Sequence, residues 1–225
     1  NAVATVDHIS GGRVELGIGG GWKEREHRAY GFPFPETSTR LAMFAEQLEI
    51  IYRLWAEQRV DFHGAHYTLE DAPAQPKPVQ EPHPPLIVGG SGTRGTAEPA
   101  ARFADEYNTP FVSPGDFARV RAKVQRACEA TGRTLRFSTM TTCLIGATHD
   151  DAMERAQRLY GRSPREASFD EWLDAYRKRS VIGSVDEVAE QLRRYEGCDR
   201  VMCQHLLHDD LEVVELIGQL GEQLV

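Results

Sequence analysis

The sequence predicts an α/β protein built on parallel strands, and three observations carry that prediction. Short apolar or β-branched runs alternate with amphipathic helical stretches over the whole chain, the pattern that right-handed crossovers between parallel strands require. Leu86-Ile87-Val88-Gly89-Gly90 is apolar throughout, as a strand buried on both faces must be. The glycine-rich segments stand between strand ends and helix starts, where such folds turn. At 225 residues the chain can bury one sizeable core, and residues 1–225 are read as a single domain. Periodicity leaves two architectures open, a doubly wound sheet and a closed barrel.

Taken in order, Asn1 to Ile9 reads as the tail of a helix, with no initiator methionine before it. Arg13 to Gly19 follows the turn formers Ser10-Gly11-Gly12 as a short strand. Thr37 to Glu57 is a long helix, because Leu41, Phe44, Ala45, Leu48, Ile51, Tyr52 and Trp55 recur at three- and four-residue spacing. Val60 to Leu69 alternates as a surface hairpin around Gly64, and Pro73 to Pro85 is an extended connector whose prolines deny a helix its donors. Then come strand Leu86 to Gly90, a helix from Gly95 to Ala104, strand Glu106 to Val112, a helix from Phe117 to Thr131, and strand Arg136 to Gly146. Helices follow over Asp150 to Leu159 and Phe169 to Arg179, and another starts at Ser184 with Glu187 completing a capping box. Strand Asp199 to Leu206 and a helix over Asp209 to Leu224 close the series, for five βα units in all.

The balance of 34 acidic against 26 basic residues gives a net charge of -8, without the basic stripe that a nucleic-acid partner requires. No apolar run reaches the roughly 20 residues of a membrane span, and no secretory signal opens the chain, so a cytoplasmic protein without nucleic-acid or membrane partners is expected. Cys128, Cys143, Cys198 and Cys203 lack paired metal-ligand spacing, which argues against a zinc site and for reduced, packed thiols.

In either architecture chemistry collects at the C-terminal ends of the strands. The strongest local signal there is Gly89-Gly90-Ser91-Gly92-Thr93-Arg94. Its glycines admit close backbone approach, while helix-start amides, two hydroxyls and the Arg94 guanidinium together make a phosphate cradle. The competing interpretation is a tight βα turn with Ser91 or Thr93 as a helix cap. Neither a Walker A loop nor the full dinucleotide fingerprint is present. Gly19-Gly20-Gly21-Trp22 either sets an indole beside a planar ring system or packs Trp22 over the end of the sheet. His205 and His208 fall at a strand end, whereas His63, His66 and His83 read as exposed or packed. Asp209-Asp210 reads as an ordinary helix opening.

Read together, these motifs resemble the bacterial luciferase-like monooxygenase superfamily, and most strongly its coenzyme F420-dependent branch. The resemblance is carried by Ser10-Gly11-Gly12-Arg13, Leu16 to Trp22, Glu26, Tyr30-Gly31, Arg40, Phe62-His63-Gly64 and Tyr67. It continues through Pro76 to Gln80, Pro84 to Gly90, Ala100 to Asp105, and Ile182-Gly183-Ser184 with Val188. It implies a (β/α)8 barrel in which strand Val14 to Ile18 is the fourth, so that the first three βα units are lacking. It further implies that Gly89, Gly90, Ser91, Gly92, Thr93 and Arg94 hold the phosphate of F420, or alternatively of FMN. Gly19, Gly20, Gly21 and Trp22 would border the ring-binding cavity. The implied activity is hydride transfer between the (deaza)flavin and a small organic substrate, in a homodimer. A remnant of the same fold that keeps at most phosphate or cofactor binding is the alternative, and a complete five-stranded sheet with an unrelated phospholigand is a third. No catalytic residue and no metal site is assigned.

Overall fold

A computed structural model describes residues 1–162 and 166–224. Contacts within the chain divide it into two compact units, Asn1–Asn108 with Ala122–Arg136, and Thr109–Arg121 with Phe137–Val225.

In the first unit, helix α1 (Ala2–Ser10) ends at Gly11, whose φ of 64° is the left-handed conformation that glycine adopts without cost. The buried Asp7 carboxylate accepts the amides of Val79 and Gln80 and the Gln80 side chain, which ties the proline-rich connector to α1. Strand β1 (Leu16–Ile18) leads to the short helix α2 (Glu24–Ala29) and then to α3 (Thr37–Ala56). The apolar face of α3 buries Phe44, Leu48 and Trp55. Strands β2 (Arg59–His63) and β3 (Thr68–Pro73) form an antiparallel hairpin. Its tip is fastened by Glu46, whose carboxylate accepts the amides of Ala65, His66 and Tyr67.

Strand β4 (Leu86–Gly89) lies between β1 and β5 (Glu106–Pro110), parallel to both, with Ile18 opposite Val88 and Gly89 opposite Asn108. Leu86, Ile87 and Val88 are all buried, as the apolar run predicts. Helix α4 (Arg94–Phe103) follows β4, and α5 (Pro114–Glu129), whose residues up to Arg121 belong to the second unit, follows β5.

The second unit is built on β6 (Arg136–Gly146), β7 (Ser180–Ser184) and β8 (Arg200–Gln204), with α6 (His149–Gly161), α7 (Phe169–Arg177), α8 (Val185–Arg193) and α9 (Glu212–Leu224). Both partner strands run parallel to β6, β8 along Ser138 to Thr142 and β7 along Thr142 to Gly146. Leu144, Ile182 and Leu207 pack with Ala152, Ala156, Leu159 and Leu173 into its core.

The strand count expected from the sequence is corrected here, since β7 adds a sixth parallel strand to the five. Ile182-Gly183-Ser184 is at once the end of that strand and the approach to the α8 cap, and only the second role is visible locally. Helix α2, the span from Glu24 to Ala29, was likewise not anticipated, because six residues carry too little periodicity to show.

Candidate functional site

The pairing of β1 with β4 decides where the two glycine turns lie. Parallel neighbours end at the same edge of a sheet, so Gly19–Gly21 after β1 and Gly89–Arg94 after β4 emerge side by side. A Cβ built on Gly19 would stand 3.3 Å from the Gly89 carbonyl oxygen.

Gly90 is the most confined of these glycines. A Cβ there would meet the Tyr107 hydroxyl at 2.5 Å and Thr96 Oγ1 at 2.9 Å, so no side chain fits without displacing buried atoms. Tyr107 itself is fully buried on β5. Burial raises its pKa, against the opposing bonds from Thr96 and the Gly92 amide, so the hydroxyl stays neutral. It accepts the Gly92 amide at 2.9 Å and lies 2.8 Å from Thr96 Oγ1. Gly92 holds φ at 67°, where a side chain would be strained. The turn is therefore fixed from β5 by the Tyr107 phenol and by the Asn108 carbonyl, which accepts the Gly90 amide at 3.0 Å.

Above it, α4 begins without a side-chain cap. Thr93 occupies the cap position, yet its side chain accepts no bond from the helix amides, although its carbonyl receives the Thr96 and Ala97 amides at 3.0 and 2.8 Å. The capping interpretation of Thr93 is thus not met. The positive end of α4 is open to an anion instead. Ser91 and Thr93 are exposed. Arg94 is exposed as well, but its Nε donates to Glu98 at 2.7 Å along the helix, and the side chain lies beside an apolar groove with Ser38, Leu41 and Phe103.

Gly19, Gly20 and Gly21 line a cavity of about 670 Å³ together with residues of α2, α3 and the segment between them. Trp22 is not among its lining residues. It is 80% exposed, with the Lys23 ammonium 5.5 Å from its ring centroid, so among the described residues the indole is not packed as that interpretation requires. Two lining residues had no role in the sequence reading of chemistry. His27 lies beside Gly21, where a Cβ would stand 3.3 Å from its ring, and its Nδ1 is 3.1 Å from the Lys23 carbonyl, which assigns Nδ1 as donor. Arg40 stacks its guanidinium over Phe34 at 3.8 Å and donates to the Pro35 carbonyl and to Thr37 Oγ1. Its Nε is buried without a hydrogen-bond partner, and among the described residues the guanidinium has no carboxylate in an ion pair. In the sequence Arg40 stands out only as one of the residues that carry the family resemblance.

The other sequence candidates are not among the residues that line this cavity. His63 and His66 are exposed on the hairpin, and His83 is buried between Trp55 and Tyr52 with Nδ1 donating to the Pro84 carbonyl. In the second unit, His205 and His208 follow β8 with ring centroids 6.4 Å apart. Asp209 and Asp210 are more than a helix opening. Arg155 and Arg158 both donate to Asp210, and Arg162 binds Asp209, so α6 holds the approach to α9 through ion pairs. These arginines, Arg155 first, hold the Asp210 carboxyl below the ordinary carboxylate range despite its burial.

Comparison with known proteins gives consistent results. Residues 1–198 match the model of the luciferase-like monooxygenases. The chain is 34% identical over 250 aligned positions to the pyrimidine monooxygenase RutA of Stutzerimonas stutzeri, covering 99% of this chain and 68% of that protein. It is 27% identical over 168 residues to the FMNH(2)-dependent dimethylsulfone monooxygenase of Pseudomonas putida, covering 73% of this chain and 45% of that protein, so it spans under half of the latter's length. Among solved structures it is similar to an F420-dependent secondary alcohol dehydrogenase, with a TM-score of 0.81 at 19% identity over 99% of this chain and 73% of that one. It is also similar to the F420-dependent tetrahydromethanopterin reductase of Methanopyrus kandleri, with a TM-score of 0.78 at 20% identity over 96% and 76%. These structural likenesses give the fold class, an α/β protein with parallel strands of the kind found in the luciferase-like barrels.

Proposed function

We propose a hydride-transferring oxidoreductase function, dependent on F420 or alternatively on FMN, for this chain, which belongs to the luciferase-like monooxygenase family. The observation that carries the reading is the juxtaposition of two glycine turns at the ends of adjacent parallel strands, one beside an uncapped helix start and one on the wall of a cavity. The residues fit a phosphate-bearing cofactor. The absence of a Cβ at Gly90 lets the turn close onto Tyr107 and Thr96, Ser91 and Thr93 are exposed, and Arg40 brings to the cavity wall a cation with no carboxylate partner among the described residues.

In this reading the turn Gly89 to Thr93 holds the phosphate through the hydroxyls and amides of Ser91 and Thr93, the Gly90 and Gly92 amides being bonded to the Asn108 carbonyl and the Tyr107 hydroxyl, and Arg40 supplies positive charge. Arg94, engaged with Glu98, contributes less than the sequence implied. Gly19 to Gly21 border the ring end, where the absence of side chains leaves room for a flat group. The cofactor, when bound, supplies the hydride chemistry. His27, with Nδ1 committed to the Lys23 carbonyl, offers Nε2 as an acceptor beside Gly21. The reduced-FMN alternative draws on the dimethylsulfone monooxygenase, the F420 reading on the dehydrogenase and reductase neighbours.

The net charge of -8 speaks for a small-molecule substrate rather than nucleic acid, and among the described residues no helix is long and apolar enough to cross a membrane. We further propose action as a homodimer in the cytoplasm. The test is direct: the protein is incubated with F420, FMN or reduced FMN and passed over a desalting column, and retained absorbance identifies the cofactor. Retention of none of the three would sink the reading.

A further inference from the structure

We propose that Tyr30 and Phe32 form an aromatic clamp that selects a planar, conjugated substrate; the inference rests on reading the cavity beside Gly19–Gly21 as the reaction site. Both rings line that cavity, yet they are 77% and 65% exposed, whereas Phe44 on the same wall is 1% exposed. A large ring left this open on a cavity wall retains most of the contact area that an apolar or aromatic ligand would cover.

The backbone that carries the two residues is fixed. Gly31 between them has a φ of 75°, its amide donates to the Arg28 carbonyl, and the Phe32 amide donates to the His27 carbonyl, so the bend is pinned to α2. The remaining groups on the wall are already engaged. Phe34 next to the wall meets the His27 ring edge-on at 4.8 Å and carries the Arg40 guanidinium on its face. Glu26 pairs with Lys23 at 3.0 Å, and the Gln47 amide donates to the Tyr67 hydroxyl at 2.6 Å. With His27 Nε2 and the Arg40 guanidinium given to the cofactor in the proposed reading, the two exposed rings are left for substrate recognition, and their quadrupoles favour stacked or edge-on partners over saturated ones. A volume of about 670 Å³ holds more than one ring system.

The probes are 2-naphthol and decahydro-2-naphthol, matched in size and hydroxyl and different in planarity, titrated calorimetrically into the wild-type protein and into Tyr30→Ala and Phe32→Ala. The clamp predicts at least tenfold tighter binding of the naphthol by wild type. It also predicts a loss of fivefold or more in each variant, a change under twofold for the saturated probe, and cofactor retention unchanged. Tyr30→Leu and Phe32→Leu keep apolar bulk without the π face and should lose the preference as well, which covers the case of an alanine variant that fails to fold. Equal affinity for the two probes, or parallel losses for both, overturns the clamp while leaving the cofactor reading intact. Loss of cofactor retention in the variants also overturns it, because the rings then serve the cofactor. Naphthol selectivity in a protein that retains no cofactor supports the clamp and overturns the cofactor reading.

Discussion

Helix starts in the two units treat their unpaired amides in opposite ways. In the second unit α6, α7 and α8 each open on a full capping box, Thr148 with Asp151, Ser168 with Glu171 and Ser184 with Glu187. The charged groups there are likewise spent on one another, with Arg155 and Asp210 both largely buried. In the first unit α4 opens after a glycine turn with no side-chain cap, and Arg40 lacks a carboxylate partner among the described residues. The difference teaches that the same local device, a helix N-terminus after a parallel strand, serves stability where its donors are satisfied internally and, in the function proposed above, ligand binding at α4 where they are not.

The comparison can be broken by substitution. The largest effect is expected for Asp210→Ala, which leaves the buried Arg155 with Glu212 alone, 2.6 Å away, and should cost about 3 kcal/mol in denaturant unfolding, the low end for a broken buried pair, with cofactor retention unchanged in the folded fraction. Because the Asp210 pKa is lowered, the wild-type contribution is present above the ordinary value of 3.8 and is lost as pH falls below it. Asp210→Asn, having lost it at every pH, should show a flatter acid limb. Gly90→Ala should come next, at about 1–3 kcal/mol for forcing a methyl against Tyr107 and Thr96, and unlike Asp210→Ala it should also weaken cofactor binding tenfold or more. Ser184→Ala removes a cap and should cost about 1 kcal/mol without touching binding. The smallest effect is expected for Arg94→Ala, since an exposed pair along one helix contributes about 0–1 kcal/mol, and the loss of cofactor affinity should be less than that of Arg40→Ala.

The sequence made the class of the fold legible because buried parallel strands write themselves as apolar runs, Leu86 to Val88 above all, and because capping boxes such as Ser184 with Glu187 are local patterns. It hid β7, whose five residues include Gly183 and run directly into the α8 cap. The glycine turns were legible as turns, but their adjacency was not, since strand pairing joins Ile18 to Val88 across seventy positions. For the same reason Arg94 stood out within its motif, while Arg40, which shares the cavity with Gly19 to Gly21, sits on a helix where one arginine looks like any solvated charge. Tyr107, which fixes the turn from below, gave no sign at all, because a tyrosine in a strand has the same appearance whether or not a glycine is packed against its hydroxyl.

The central claim is that the amides at the start of α4 are kept for a ligand, and backbone amide NMR during a cofactor titration tests it most directly. F420 or FMN, with inorganic phosphate as competitor for the same amides, should shift Ser91, Thr93 and Gly95 together with Gly19 to Gly21, and leave the capped starts of α6, α7 and α8 unmoved. A titration that moves the capped starts equally, or leaves residues 91–95 in place while cofactor is bound, would contradict the account.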